Sequence, residues 1–447
     1  MTDDVLVGTC AAPPTLAGRC IGVLFALLLA STTADMRAQS APATPFRVSD
    51  AIAMVRANHP LLAAAGGRRM AIAGTVRQEG AFTNPTLEYR RENLGSTLDR
   101  DIFFTLYVPV DLAGRRLGLR AAGRSGIARA VADSMTVARQ VEVGAVRAYW
   151  RAALAGALLD VAVEQRTAFD GIAEYTATKL REGATAEQAA IRTRLEADRA
   201  RIAEGTARAE WQRARASLAQ AVGAPASVVP MPPALAVLTS ADLATAIAVE
   251  QLSGASDSLV ADALMRRSEV AALQAALRQA GQRLGTERRS ILTEPVVQLG
   301  TKKTGGIDTR VIGIGMPLPV FAQNGGARER ARGEQLTAEA DLREVRQLIA
   351  ADVIGSRQAL AELVAAAPGT AVGTLPSNMT RDAADIGVIA EAAYREGGST
   401  LLELLEARRA SVESRAVALR WTADIHLALL DYRRALGTPL VAPSEAQ

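Results

Sequence analysis

Along this chain, short stretches in which apolar and polar residues alternate one by one are set between much longer stretches whose apolar positions keep a seven-residue beat. From Pro85 to Glu92, Leu87 and Tyr89 fall on one side and Thr86, Glu88 and Arg90 on the other; Ile102, Phe104, Leu106 and Val108 then line a single face. Period-two patterns of this kind predict strands with two unlike faces. The polar, glycine-containing segment Asn93 to Arg100 joins them as a turn, and Val296 to Thr301 with Arg310 to Met316 repeat the arrangement around Gly305-Gly306. The pattern predicts four strands.

Between Pro109 and Pro225 there is no proline, and Ala, Arg, Glu, Leu and Gln dominate. These residues favour helix, and the span is long enough for two helices well beyond the usual length. Leu195, Ile202, Ala209 and Ala216 keep the beat in the first half; Leu405, Val412 and Leu419, beside Ala416, Ala423 and Leu430, keep it in the second. Helices with a seven-residue apolar repeat pack side by side as coiled coils.

Laid against itself, the chain divides into two halves with one plan. Asn84-Pro85-Thr86-Leu87 answers Glu294-Pro295-Val296-Val297, and Val108-Pro109-Val110 answers Leu318-Pro319-Val320, both 210 positions on. Leu180-Arg181-Glu182-Gly183 answers Tyr394-Arg395-Glu396-Gly397, and Ala221 to Pro225 answers Ala435 to Pro439, now 214 on. The predicted first repeat covers 46–238: a helix, strands 85–93 and 102–109, and a long helix pair over 114–222. The second covers 239–439: a helix, strands 295–302 and 309–317, and long helices over 324–364 and 379–436, the latter turning at a tip from Arg395 to Ser399. Residues 440–447 form a tail, and Ala367-Pro368-Gly369 through Leu375-Pro376-Ser377 predict a break in the helix leading to the second tip.

Several of these segments carry a resemblance to the TolC-like outer-membrane efflux protein family. Val48-Ser49-Asp50-Ala51-Ile52 with Asn58-His59-Pro60-Leu61 looks like its first helix, and Thr83 to Leu87 like its entry to the first strand. Ile314 to Pro319 looks like the exit from the fourth, and Ala393 to Ser399 followed by Leu401 to Ala407 is the most specific match. The resemblance implies a homotrimer: an outer-membrane β-barrel continuous with a periplasmic α-barrel of long antiparallel coiled-coil helices, meeting a periplasmic adaptor and an inner-membrane pump. Within the family, Arg91 to Gly95 and Asp111 to Arg116 look most like the cobalt-zinc-cadmium efflux branch.

Composition and charge narrow the alternatives. Hydrophobic residues make up 49% but aromatics only 4%, which suits closely packed helices more than a large globular core. Net charge is +4, with acids and bases interspersed, so no basic stripe marks a nucleic-acid surface. Arg19, the apolar run Ile21 to Ala30 and the small residues after it predict a secretory signal peptide over 1–40, cleaved after Ala34 or Ser40. Cys10 and Cys20 are the only cysteines and lie within that leader. No later run offers about 18 uninterrupted apolar residues for a membrane helix, so a membrane crossing must use strands. Four strands cannot close a barrel, and open edges in lipid are costly, so copies must assemble; twelve strands from three chains would suffice.

Candidate functional residues follow from the repeat and the resemblance together. Glu403 and Glu406 occupy the positions where the family implies an acidic ring at the periplasmic constriction; a spacing of three puts both carboxylates near one helix face. Their first-half counterparts are Ala189 and Arg192, so the ring comes from the second half alone. Arg181, Gly183, Arg395, Gly397 and Ser399 are expected at the adaptor docking tips, and Arg115, Arg116, Arg120 and Arg124 at the inner headgroup level of the outer-membrane lipid. His59 and His426 are the only histidines and no cysteine joins them, so no metal site is expected; His426 is placed in a bundle seam. Gly300 to Gly306 lacks phosphate-loop spacing, no nucleophile and base pair stands out, and no cofactor is expected. The competing readings are a periplasmic coiled-coil adaptor or scaffold without a barrel and, more distantly, an enzyme.

Overall fold

The computed structural model describes residues 45–95, 100–238, 256–366 and 375–441. The leader expected over 1–40, most of the helix break expected over 367–377 and the end of the tail lie outside these residues.

The first half opens with α1 (Val48–Asn58) and α2 (Pro60–Glu79). The two meet at His59, whose ring Nδ1 accepts from Leu61 N at 3.2 Å, and Pro60, whose missing N–H is no loss at the first helical position. Next come β1 (Thr86–Glu92), β2 (Asp101–Pro109), α3 (Arg115–Arg181) and α4 (Glu187–Val222). At 1.5 Å per residue, the 67-residue α3 is about 100 Å long. The second half repeats the order: α5 (Ser256–Arg266), α6 (Ser268–Arg289), β3 (Val296–Thr304), β4 (Ile307–Gly315), α7 (Gly325–Ala365), α8 (Leu375–Glu396) and α9 (Leu401–Leu436). Pairing of β3 with β4 runs to Thr304 and Ile307, past the expected 302 and 309. The reason is the two-residue turn Gly305-Gly306, both at positive φ, which matches the strand twist and leaves no loop.

The strands form one antiparallel sheet in the order β1-β2-β3-β4. Beside the strand–helix junctions the helices follow the same order, α2 against α3, α3 against α6, α6 against α7. Each strand is thus continued by its own helix. Farther along, α3 packs between α4 and α9, and α9 between α3 and α8.

Two equivalent cores hold the halves. In the first, Ala51 and Val55 of α1 meet Val141, Ala145 and Ala152 of α3 and Leu218 and Val222 of α4. In the second, Ala263 of α5 meets Ile349, Val353 and Leu360 of α7 and Ile425, Leu429 and Leu436 of α9. Val141, Ala145 and Ala152 stand 208 positions before Ile349, Val353 and Leu360, the same step that separates His59 from Arg267 at the two helix breaks. The descending helices are therefore two residues out of step with the 210-residue spacing of the strand motifs.

The seven-residue beat lies on two different surfaces. In α9, Val412, Leu419 and Ala423 pack on Trp150, Ala153, Ala157 and Val161 of α3, and His426 stacks on Trp150 with ring centroids 3.7 Å apart. In α4, Leu195, Ile202, Ala209 and Ala216 are exposed, while Thr193, Ala197 and Ala200 are buried instead. The repeat predicts a face that packs, and period alone does not say which neighbour that face meets.

Where α3 is pressed between α2 and α6, it carries small residues. A Cβ on Gly118 would collide with Thr286 Oγ1, and one on Gly123 with Val76, so larger side chains would force the helices apart. Beyond this contact, charge joins the apolar packing: Asp352 of α7 accepts from Arg267, the N-cap residue of α6, at 2.9 Å and from Arg434 of α9 at 2.9 and 3.0 Å. Burial alone would raise the Asp352 pKa, but hydrogen bonds from the two guanidinium groups outweigh it and hold the carboxyl below the ordinary aspartate value. Glu269, beside Arg267, is held low against burial in the same way.

Gly118→Val is expected to destabilise by about 1–3 kcal/mol through overpacking, whereas Gly171→Ala, at an exposed helical position with open space around it, gains up to about 1 kcal/mol; thermal unfolding in detergent compares the two. Because the folded-state pKa of Asp352 is depressed, its stabilisation is complete above the unfolded carboxylate value of about 4 and is lost as pH falls through the folded value. The melting temperature of the native chain should therefore drop more steeply on acidification below about pH 4 than that of Asp352→Asn. Parallel curves would contradict the assignment.

Candidate functional site

The sheet has two chemically distinct faces. The register aligns Leu87, Leu106, Leu299 and Ile312 across all four strands, with Tyr89 and Phe104 in the next row and Val108, Val297 and Ile314 on the other side. Leu87 is 70% exposed, Ile312 78% and Ile314 75%, so among the described residues this continuous apolar surface has no protein against it. The opposite face is polar and internally bonded: Tyr107 donates to Glu88 at 2.6 Å, Arg90 lies 3.2 Å from Glu92, and Lys302 lies 3.1 Å from Asp101. Strands of nine residues, apolar on one side and polar on the other, suit a tilted crossing of a hydrocarbon layer around a wet interior. Among the described residues, no strand pairs with the outer edge of β1 or of β4.

The strand–helix junctions carry a second apolar group. Phe82, Leu112, Leu318 and Phe321 are exposed, Phe321 almost completely. Aromatic side chains at such a level favour a membrane–water boundary. Asp111 accepts from the backbone N–H groups of Arg115 and Arg116, both at 2.8 Å, and so caps α3. Arg116 lies 3.5 Å over the Phe82 ring, and Arg120 donates to Gly80 O at 2.8 Å, closing the end of α2. Of the expected basic group, Arg116 and Arg120 are engaged within the chain, while Arg115 and Arg124 are exposed.

At the far end of α3, Gly183 and Gly397 adopt positive φ, 71° and 80°, and terminate α3 and α8. Arg181 donates to Thr178 Oγ1 at 2.9 Å, Arg395 pairs with Glu391 at 2.6 Å, and Ser399 Oγ lies 3.5 Å from Ala390 O. Behind these turns, Phe169 and Ile172 of α3, Ala197 and Ala200 of α4 and Leu404 and Leu405 of α9 form one small core. Lys179 lies 4.8 Å from the Tyr175 ring and 5.5 Å from the Tyr394 ring, and those rings meet edge-on at 6.0 Å. A hydrogen bond with Tyr175 holds the Lys179 ammonium above its ordinary pKa. Glu196 of α4, buried, accepts from Arg409 of α9 at 2.6 Å. Glu403 completes a capping box: Thr400 N donates to its carboxylate at 2.8 Å, while Thr400 Oγ1 accepts from Glu403 N at 3.3 Å. Glu406 is exposed.

No protein-family model and no curated protein matches the sequence. Solved structures do. The Campylobacter jejuni CmeC outer membrane channel superposes with a TM-score of 0.71 at 15% identity, over 87% of this chain and 85% of that one. The Vibrio cholerae outer membrane protein VceC gives 0.70 at 16% identity, over 88% and 97%. The Neisseria gonorrhoeae MtrE outer membrane channel, solved in its open state, gives 0.67 at 18% identity, over 88% and 89%. The chain has the fold of the TolC-like outer-membrane channels. In this TolC-like fold the hairpins α3–α4 and α8–α9 run from the helices that continue the sheet to the tips.

Sequence reasoning named residues at both ends and missed others beside them. Glu403 and Glu406 share the first turns of α9, but the Glu403 carboxylate is engaged in capping, a role that the Thr400-to-Glu403 spacing itself announces. Lys179 and Tyr175, which meet Tyr394 between the two hairpins, were not singled out as functional residues; the only signal was that Lys179 is one of three lysines. Phe82 and Phe321 were missed because they fall between elements, where neither period applies. Among the described residues, no group of three or more His, Cys, Asp or Glu side chains is placed to hold a metal ion, and no helix is long and apolar enough to cross a membrane.

Tyr394→Ala removes an aromatic contact worth about 0.5–1.5 kcal/mol from the tip. Tip opening should rise accordingly, and trypsin should cleave after Arg181 or Arg395 several times faster while the global unfolding temperature changes little. Cleavage at the native rate would show that the clasp does not hold the hairpins.

Proposed function

We propose that this chain is the outer-membrane channel subunit of a Gram-negative tripartite efflux or export system. Three copies close a twelve-stranded barrel in the outer membrane, and their helices continue it as an α-barrel in the periplasm. The duct is passive and catalyses no reaction; direction and energy come from an inner-membrane pump through a periplasmic adaptor. The observation that carries this reading is the sheet, whose exposed apolar face, polar opposite face and two unpaired edges suit a barrel segment and have no use in a soluble scaffold. The similar solved structures named as outer membrane channels support it.

Within this reading Glu403 and Glu406 line the periplasmic constriction, where six carboxylates from three chains favour cations and repel anions. Arg181, Gly183, Arg395, Gly397 and Ser399 form the adaptor docking surface, and Arg115 with Arg116 and Arg120 marks the headgroup level below the aromatic residues. A metal-cation cargo is the substrate class suggested by Arg91 to Gly95 and Asp111 to Arg116.

Fractionation of expressing cells, followed by detergent extraction and mass determination, tests the assembly: a trimer from the outer membrane is expected, and a soluble periplasmic monomer overturns the proposal. For the constriction, Glu403→Gln with Glu406→Gln keeps the capping hydrogen bond but removes the charge, and should lower cation preference in planar-bilayer recordings. Glu403→Ala also loses the reciprocal half of the capping box, the bond from Thr400 N, while the Thr400 hydroxyl still caps α9. Unchanged ion selectivity in the double Gln variant would remove both residues from the constriction.

A further inference from the structure

The cations of the sheet are satisfied on one face and not on the other. On the polar face Arg90 lies 3.2 Å from Glu92 and Lys302 lies 3.1 Å from Asp101. Both also approach the Phe103 ring, at 4.6 and 5.0 Å. The apolar face carries Arg91, Lys303 and Arg310, all exposed. Among the described residues, none of these three side chains has a hydrogen-bond or ion-pair partner. The acid beside them is Asp308, which stands opposite Lys303 in the register and forms no ion pair with it.

Their position is equally particular. Arg91 and Lys303 share a row across Ile102, and Arg310 stands in the next row with Tyr89 and Phe104. These rows lie at the hairpin end of the sheet, away from the helices; the row of Leu87, Leu106, Leu299 and Ile312 follows on the helix side. A cation on the lipid side of a barrel is costly at mid-depth, and the cost falls away toward the interfaces. The aromatic pair Tyr89 and Phe104, with ring centroids 4.9 Å apart, suits that boundary. The three cations thus stand at the headgroup level of the outer leaflet, with the apolar rows directly beneath them.

We propose that Arg91, Lys303 and Arg310 form a binding site for a multiply phosphorylated lipid of the outer leaflet. Guanidinium and ammonium groups pair with phosphate through charge-assisted hydrogen bonds, which supplies the anionic partner that the chain itself does not. Strand spacing puts the Arg91 and Lys303 backbones about 10 Å apart, and the diagonal from Lys303 to Arg310 is about 7–8 Å. That spread fits a headgroup carrying more than one phosphate. A free phosphate ion would bridge the closer pair at most and would leave the apolar rows beneath uncovered, whereas acyl chains cover them. Asp308 disfavours an anion beside Lys303, so Arg91 and Arg310 flank the site on the two sides that acid leaves open.

This inference rests on the proposed barrel but assigns it a lipid site, so the two can fail separately. The full-length chain, extracted and washed in a mild non-ionic detergent, is mixed with bisphosphorylated lipid A and followed by native mass spectrometry and thermal unfolding. Dephosphorylated lipid A and inorganic phosphate are the comparisons. Bound lipid A and a raised unfolding temperature are expected, with binding several-fold weaker for the dephosphorylated lipid and no shift from inorganic phosphate. Arg91→Gln, Lys303→Gln and Arg310→Gln combined should keep the trimeric mass and bind lipid A several-fold more weakly. Lys302→Gln, which removes the same charge from the opposite face, should bind as the native chain does. If the combined variant does not assemble, Lys303→Gln and Arg310→Gln are compared singly, each with weaker binding expected. A trimer whose lipid binding is unchanged by these substitutions, or equally weakened by Lys302→Gln, overturns the site and leaves the duct standing, as does an equal response to inorganic phosphate. A soluble monomer overturns both.

Discussion

A backbone N–H or C=O left unpaired in hydrocarbon costs several kcal/mol, and a sheet edge presents a row of them. The outer edges of β1 and β4 are such rows, on a sheet whose one face is already apolar and exposed. The rest of the chain is arranged around that constraint. Each strand runs into a helix standing in the same lateral order, so whatever closes the sheet also brings the helices round. Glycines at 118 and 123 let α2 and α6 approach α3 closely beside the strand–helix junctions.

The strand faces were legible because a pleated strand has an exact period of two, and Leu87, Tyr89, Phe104 and Leu106 leave little choice of side. The register then brought these residues into common rows across the sheet. The long helices were legible from the proline-free span, and the tips from Gly183 and Gly397, where the chain needs positive φ. What could not be read was the partner of each helix face. Leu195 and Ile202 have the same spacing as Val412 and Leu419, yet one pair is exposed and the other packs on α3, because a heptad pattern records that a face is to be covered and not by what.

At the functional end, chemistry and structure compete for the same atoms. Glu403 is both the acidic residue expected in a constriction and the second half of a helix cap, so its carboxylate is fixed in place by Thr400 N and held close to the start of α9. Glu406, one turn on and exposed, has more freedom. Charges away from the ends serve cohesion: Asp352 of α7 joins the start of α6 and the end of α9 through two guanidinium groups.

The scarcity of lysine has a consequence for handling the molecule. Lys179 lies in the aromatic clasp at the tip, and Lys302 and Lys303 lie on β3, while arginine supplies the basic groups of the intervening helices. Reagents that acylate primary amines do not attack guanidinium under the same conditions. Apart from the amino terminus, an amine-reactive dye or affinity tag would therefore mark only the tip and the strands, and the long helical stretch between them would remain chemically silent.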